Sequence, residues 1–81
     1  MVSNRMVHAF VMLRADEGSA AELATTVREA DAIVEAHVVA GDWDLIAELD
    51  APGVYEVLST VTAELRELPG VVDTRTYVSL G

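Results

Sequence analysis

The chain has 81 residues, 52% of them hydrophobic, which fits one globular domain with a small aliphatic core, and we expect so short a chain to self-associate to cover its apolar surface. Fourteen acidic residues against five basic ones give a formal charge of −9 at pH 7, which argues against direct binding to nucleic acid or to anionic membranes. The lack of cysteine excludes disulfides and thiolate chemistry. Because we also expect no targeting or membrane-spanning segment, the sequence favours a cytoplasmic protein.

The first predicted element is a strand from Met6 to Leu13. Its odd positions, beginning at Val7, are all aliphatic, and its even positions carry methionine, histidine and phenylalanine. Such side chains on both faces are typical of a strand that is covered on both sides.

A helix is predicted from about Ala20 to Ala30. Ser19 and Glu22 have the Ser-x-x-Glu spacing of a capping box, in which the two side chains satisfy free backbone amides at a helix start. Leu23 and Val27 follow at helical spacing and indicate the buried side.

The segment from Ala32 to Ala51 predicts a β-hairpin, because two stretches with alternating polarity flank a turn that contains Gly41. Symmetric pairing about the turn gives one aliphatic face, suited to being covered by helices, and one mixed face. It also puts His37 opposite Glu48 on the mixed face. The aliphatic face comprises Val34, Ala36, Val38, Ala40, Leu45, Ala47 and Leu49. The mixed face comprises Ile33, Glu35, His37, Val39, Ile46, Glu48 and Asp50.

A second helix is predicted after Pro52, followed by a last strand from Val71 to Leu80. The apolar residues of this helix recur at the spacing of one helical face, and Pro69 and Gly70 are expected to end it. These apolar residues are Val54, Val57, Leu58, Val61, Leu65 and Leu68.

The predicted order is therefore β-α-β-β-α-β, and both helices need one sheet face on which to bury their apolar sides. The fold class that satisfies this order is α+β, a ferredoxin-like sandwich with a four-stranded antiparallel sheet and two helices on one face. We expect one domain over residues 1–81.

The sequence contains few residues in patterns typical of catalytic or metal-binding sites. His8 and His37 are both predicted in mid-strand without a serine motif nearby, so no catalytic residue is predicted. Asp42 and Asp44 lack the other ligands of a calcium loop, and no glycine-rich loop precedes either helix. We therefore predict no metal site and no cofactor.

The hairpin turn is the most informative stretch. Gly41 allows a positive φ, and either Asp42 or Asp44 could cap a backbone amide in the turn. Trp43 is harder to explain, because a tryptophan in a turn of a small domain has little of its own chain to lie against. We expect Trp43 to pack against a neighbouring chain or to line a pocket formed with one.

A small ligand with an ammonium group, such as an amino acid, would suit this turn. The carboxylates beside the indole ring would attract the ammonium group. Thr74 and Thr76, at alternate positions of the last strand, could offer hydroxyls to the same ligand, although threonine is also simply common in strands.

The order of elements and the phrases "VVAGDWDLIAEL" and "LRELPGVVDTRTYVSL" resemble the effector-binding domain of the Lrp/AsnC feast/famine transcriptional regulators, the RAM domain. The resemblance runs from about Arg5 to Leu80 and rests on Gly-x-x-Asp, Leu-Pro-Gly-Val and Thr-x-Thr at matching distances. It implies a stand-alone member, without the N-terminal helix-turn-helix that such regulators carry.

The resemblance also implies a function and an assembly. In this family the open sheet faces of two subunits pack into a dimer, dimers often form an octameric ring, and effectors bind between dimers near the hairpin turn. The implied site comprises Gly41, Asp42, Trp43, Asp44, Thr74 and Thr76. Ala40 stands where the family frequently has a hydroxyl-bearing residue. The expected function is a non-enzymatic amino-acid-sensing and oligomerisation module that could co-assemble with full-length regulators.

Two other functions fit the predicted fold. Small dimeric ferredoxin-like enzymes, such as monooxygenases and isomerases, enclose a pocket between sheet and helices, and such a site here would use His8, His37 or Tyr77. An ACT-type regulatory subunit of a metabolic enzyme has the same order of elements, and co-purification with an enzyme would favour that alternative.

Overall fold

A computed structural model of the protein describes residues 6–81 and contains one sheet packed against two helices. No helix within that part of the chain is long and apolar enough to cross a membrane. The elements are β1 (Val7–Ala15), α1 (Ala20–Arg28), β2 (Ile33–Val38), β3 (Leu45–Ala51), α2 (Val54–Thr60) continued by a π-helical turn (Val61–Leu65), and β4 (Val71–Val78).

The sheet has the strand order β2-β3-β1-β4, and every neighbouring pair is antiparallel. This is the predicted ferredoxin-like α+β fold. Strand β1 is central, and its residue Leu13 pairs with Leu45 of β3 on one side and with Thr74 of β4 on the other. The end of β1 therefore lies where the hairpin and the last strand meet.

The core lies between the helices and one face of the sheet. Odd-numbered side chains of β1 and β3 alternate into this face, and the helices contribute residues at helical spacing. Its buried side chains are those of Ala9, Val11, Leu13, Leu23, Ala24, Val27, Ala36, Leu45, Ala47, Leu49, Ala51, Val57, Val61 and Leu65. All are aliphatic, as the composition predicted.

The other face, which we call the open face, carries the even-numbered side chains of β1 and β3. The prediction that β1 is covered on both sides is wrong within one chain, because both helices lie on the core face. His8, Phe10 and Met12 are only half-buried on the open face, and Tyr77 beside Phe10 is 50% exposed.

The hairpin is present, but its register differs from the prediction. His37 pairs with Ile46, and Glu48 pairs with Glu35, because a bulge shifts the register between Ile33 and Glu35. Within the predicted aliphatic face, Ala36, Leu45, Ala47 and Leu49 are buried and Val34, Val38 and Ala40 are exposed. The bulge displaces Val34, and the helices do not cover the end of β2.

The first helix begins where predicted, without the capping box. Ser19 has a helical backbone (φ −102°, ψ −2°) and makes no capping hydrogen bond through its side chain. The extended conformation that aims a capping hydroxyl at the first turn is therefore absent at Ser19. At its other end α1 is fixed by Arg28, whose Nε and Nη2 donate to the Ala36 carbonyl at 3.1 and 2.8 Å.

The second helix begins at Val54, after Gly53, and widens into a π-helical turn. The Arg66 amide donates to the Val61 carbonyl, five residues back, at 2.8 Å. The buried positions therefore recur every four residues at Val57, Val61 and Leu65, and the predicted partners Val54 and Leu58 are each 50% exposed. The turn after the helix is as predicted, with Gly70 at φ 96°.

Candidate functional site

The turn between β2 and β3 is fastened to the end of β1 by Asp44. Its amide donates to the Leu13 carbonyl at 2.9 Å, and its Oδ2 accepts from the Ala15 amide at 2.8 Å. Its carbonyl accepts from the Val39 amide at 2.9 Å, which closes the turn. Asp44 therefore caps a backbone amide, but that amide belongs to β1, whereas the sequence had suggested one in the turn.

Asp42 lies on the outside of the same turn. Its side chain is exposed, whereas its carbonyl accepts two hydrogen bonds from the Arg14 guanidinium, at 2.8 Å from Nη2 and 3.3 Å from Nε. Gly41 before it has φ 156°, a conformation that side-chain-bearing residues rarely adopt, so glycine is required there by the backbone. The turn thus holds the Asp42 carboxylate in solvent on a fixed backbone.

Trp43 lies across the end of β1 on the open face. The Arg14 guanidinium carbon is 4.5 Å from the centre of its ring, and that of Arg75 on β4 is 5.6 Å away. The indole is half-buried by these cation–π contacts. The expectation that Trp43 finds little of its own chain to lie against is therefore wrong, because Arg14 and Arg75 converge on it from neighbouring strands.

Thr74 and Thr76 lie on the opposite side of the sheet from Trp43. They pair with Leu13 and Val11, whose side chains are in the core, so both threonines face the helix side and are half-buried there. The structure thus gathers the six predicted residues around the end of β1 but divides them between the two faces of the sheet.

Two clefts lined by described residues lie elsewhere. One has a volume of about 620 Å³ and lies between the start of α1 and the turn at Pro69 and Gly70. The other, of about 350 Å³, lies along α2 beside Tyr55 and Leu58. Neither is lined by any of the six predicted residues.

A second polar cluster, which sequence reasoning missed, lies on the open face around His8. Its Nδ1 is 2.5 Å from Asp50 Oδ1, and its Nε2 is 3.0 Å from Glu48 Oε1. These hydrogen bonds, to Asp50 first and then to Glu48, raise the pKa of His8 above its usual value of 6.5. The ring of Phe10 packs edge-on against the imidazole, with centres 5.1 Å apart.

The residues considered for an enzyme site also lie on the open face. His8, His37 and Tyr77 all project from it, whereas the space between sheet and helices is filled by aliphatic side chains. In the described part of the chain no buried polar or charged side chain lies between the two layers. The residues named for an enclosed pocket therefore do not face the interior.

Comparison with known proteins gives a family-model match to the Lrp/AsnC ligand binding domain over residues 8–81. An uncharacterised helix-turn-helix-type transcriptional regulator of Pyrococcus furiosus is 38% identical over 74 residues, 88% of this chain and 49% of the relative. The leucine-responsive regulatory protein of Escherichia coli is 39% identical over 54 residues, 67% of this chain and 33% of the relative. The chain thus spans at most about half the length of these curated relatives.

A solved structure from Thermus thermophilus has a similar fold over nearly its whole length. It superimposes with a TM-score of 0.88 at 29% identity, and the match covers 94% of this chain and 95% of that one.

Proposed function

This chain belongs to the family of Lrp/AsnC ligand-binding domains, and from that membership we propose that it binds an amino acid as effector, within an oligomer and without enzymatic activity. Its curated relatives are transcriptional regulators, and one of them is named for its response to leucine. A regulatory role of this kind would be exercised in the cytoplasm.

The observation that carries this proposal is that the two aspartates of the turn have different roles. The Asp44 carboxylate is engaged by the Ala15 amide, whereas the carboxylate of Asp42, the residue before the half-buried Trp43, is exposed. An exposed carboxylate on the residue adjacent to a tryptophan suits an ammonium group attached to an apolar side chain. The proposed effector site comprises Gly41, Asp42, Trp43, Asp44, Thr74 and Thr76.

A second copy of the chain is needed to complete this site. Trp43 and the two threonines lie on opposite faces of one sheet, and the two clefts described above include none of them. In the assembly we propose, the turn of one subunit meets the last strand of another at the contact between dimers. The effector changes that contact if it binds one arrangement more tightly than the other.

The open face supplies the dimer contact. It carries the half-buried apolar side chains of Phe10, Met12 and Ile46, and Tyr77, which is 50% exposed, pairs with Phe10. Burying such a surface against a second copy gives a small domain the interior that it lacks alone. Dimers would then assemble further, to an octamer in the proposed form, and full-length regulators of the family could join through the same face.

A thermal-shift screen of the twenty amino acids tests the effector proposal. An effector at ten times its Kd adds about 1.4 kcal/mol to the free energy of unfolding, which raises the Tm of a domain this size by about 5 °C or more. We expect at least one amino acid to do so at millimolar concentration.

Matched variants test whether the amino acid binds at Asp42. Asp42→Asn should abolish the shift without lowering the Tm of the free protein, whereas Asp44→Ala should lower that Tm because the Ala15 amide loses its acceptor. Glu29→Gln, at the exposed residue that follows α1, should change neither. The absence of any shift, or a shift that survives Asp42→Asn, would contradict the proposal.

A further inference from the structure

Three potential metal ligands converge on the open face where β2 and β3 run side by side. Glu35, His37 and Glu48 each offer one ligand atom, and these atoms lie within 4.8 Å of one another. Glu35 and His37 are two residues apart on β2, so they project to the same side, and Glu48 pairs with Glu35 across the ladder. The bulge after Ile33 creates this register.

The pairing of Glu35 with Glu48 is electrostatically unfavourable. Like charges directly opposite each other on neighbouring strands destabilise a sheet. Among the described residues, the ion-pair partners of these carboxylates are both imidazoles, namely His37 at 2.9 Å from Glu35 and His8 at 3.0 Å from Glu48. Among the described residues neither carboxylate forms an ion pair with an arginine, so the cluster favours a further cation.

A further layer of side chains positions Glu48. His8 holds Oε1 of Glu48 through its Nε2, and the Nδ1 of His8 is held in turn by Asp50. Within residues 6–81 the second oxygen of Glu48 makes no hydrogen bond and is available to another partner. Carboxylate and imidazole ligands of protein-bound metals are commonly oriented by such hydrogen bonds from behind.

We propose that Glu35, His37 and Glu48 bind a divalent transition-metal ion of the Zn²⁺ type, with His8 and Asp50 as positioning residues. One imidazole nitrogen and two carboxylate oxygens form a mixed ligand set that suits Zn²⁺ and its first-row neighbours. Tetrahedral ligands at about 2.0–2.1 Å from zinc lie closer together than the present 4.8 Å limit, and the side chains of Glu35 and His37, each 55% exposed, have room to close in. Three protein ligands leave one coordination position for water or for a group on the second copy of the chain that covers the open face in the proposed dimer.

Calorimetric titration of the tag-free protein with Zn²⁺ tests this site, with Co²⁺ absorption as a second readout of nitrogen and oxygen ligation. We expect one ion per chain, and at least about tenfold weaker binding in His37→Gln and in Glu48→Gln. His8→Gln should weaken binding less, because His8 acts through Glu48. Glu29→Gln is the matched control for loss of one carboxylate and should bind as the parent does.

Circular dichroism of each variant separates lost ligands from lost folding, and the exposure of His37 predicts an unchanged fold in His37→Gln. Failure to bind Zn²⁺ at 1 mM would overturn the proposal. So would equal affinity in the parent, His37→Gln and Glu48→Gln. Because none of these residues belongs to the proposed effector site, this result is independent of the amino-acid screen.

Discussion

At the scale of single residues, the two aspartates of the turn show where sequence reasoning stops. Both Asp42 and Asp44 were equal candidates for capping, and only Asp44 turns inward, because the Ala15 amide that it accepts from lies 29 residues away along the chain. The role of each aspartate thus depends on how the end of β1 meets the hairpin. Local sequence fixes only that Gly41 and its neighbours form a turn.

His8 shows the same limit. The sequence placed it in mid-strand, but its partners Glu48 and Asp50 come from β3, which the chain reaches only after the first helix and β2. The predicted fold did indicate that partners of His8 could come from β3, because its antiparallel strand order places β3 beside β1. The exact register, which decides that His8 faces Asp50, required the structure.

The raised pKa of His8 predicts a pH-dependent stability. The folded state binds the His8 proton more tightly than the unfolded state does, so its contribution is complete below the unfolded pKa near 6.5 and is lost as the pH rises through the raised folded pKa. We expect the free energy of unfolding to fall across that interval by less than about 1 kcal/mol, since the side chain is 34% exposed.

Urea denaturation of the parent and of His8→Gln in EDTA, from pH 5.5 to 8.5, measures this effect. The parent should lose stability relative to His8→Gln as the pH rises. Asp50→Asn, which removes the first partner of the imidazole, should reduce the difference. Parallel pH profiles for the parent and His8→Gln would show that the pairing is not maintained in solution.

At the scale of elements, sequence patterns predicted all four strands and both helices in their correct order. The details that failed are a capping box that does not form at Ser19, a bulge in β2 and a π-helical turn after α2. Each is a local departure from the regular element, in a stretch whose sequence pattern is also compatible with that regular element. None of them changes which face of the sheet the helices cover.

Arg28 joins α1 to β2 by a contact that the sequence did not indicate. Edge strand β2 exposes carbonyls, and Arg28 at the end of α1 donates to that of Ala36 through two nitrogens. We expect Arg28→Ala to lower the free energy of unfolding by about 1 kcal/mol. Chemical denaturation measures this loss.

Arg66→Ala is the matched control for Arg28→Ala. Arg66 is exposed after the π-helical turn, and its backbone amide, which the substitution preserves, makes the helical hydrogen bond. The expected change is within about 0.5 kcal/mol. Equal losses in the two variants would mean that the contact between Arg28 and Ala36 adds nothing to stability.

At the scale of the whole molecule, the residues of the core face could be predicted from the sequence, whereas the arrangement of the effector residues could not. The core face follows from alternation of aliphatic residues, which one chain satisfies alone. The predicted effector residues instead lie on both faces around the end of β1. Their combination into one site depends on how copies meet, which neither the pattern of one sequence nor the fold of one chain determines.

Trp43 connects the turn to the assembly. Its stacking on Arg14 and Arg75 is worth about 0.5–1 kcal/mol at a partly exposed site, so Trp43→Ala should destabilise the subunit only modestly. In the proposed assembly the same ring lies at the contact between dimers, where its loss should have the larger effect.

Sedimentation velocity of the parent and of Trp43→Ala over a micromolar concentration series tests the central claim, that the site is completed where copies of the chain meet. We predict a parent species larger than a dimer and a Trp43→Ala species that stops at the dimer while its Tm changes little. A parent that sediments as a single subunit at every concentration would contradict the account.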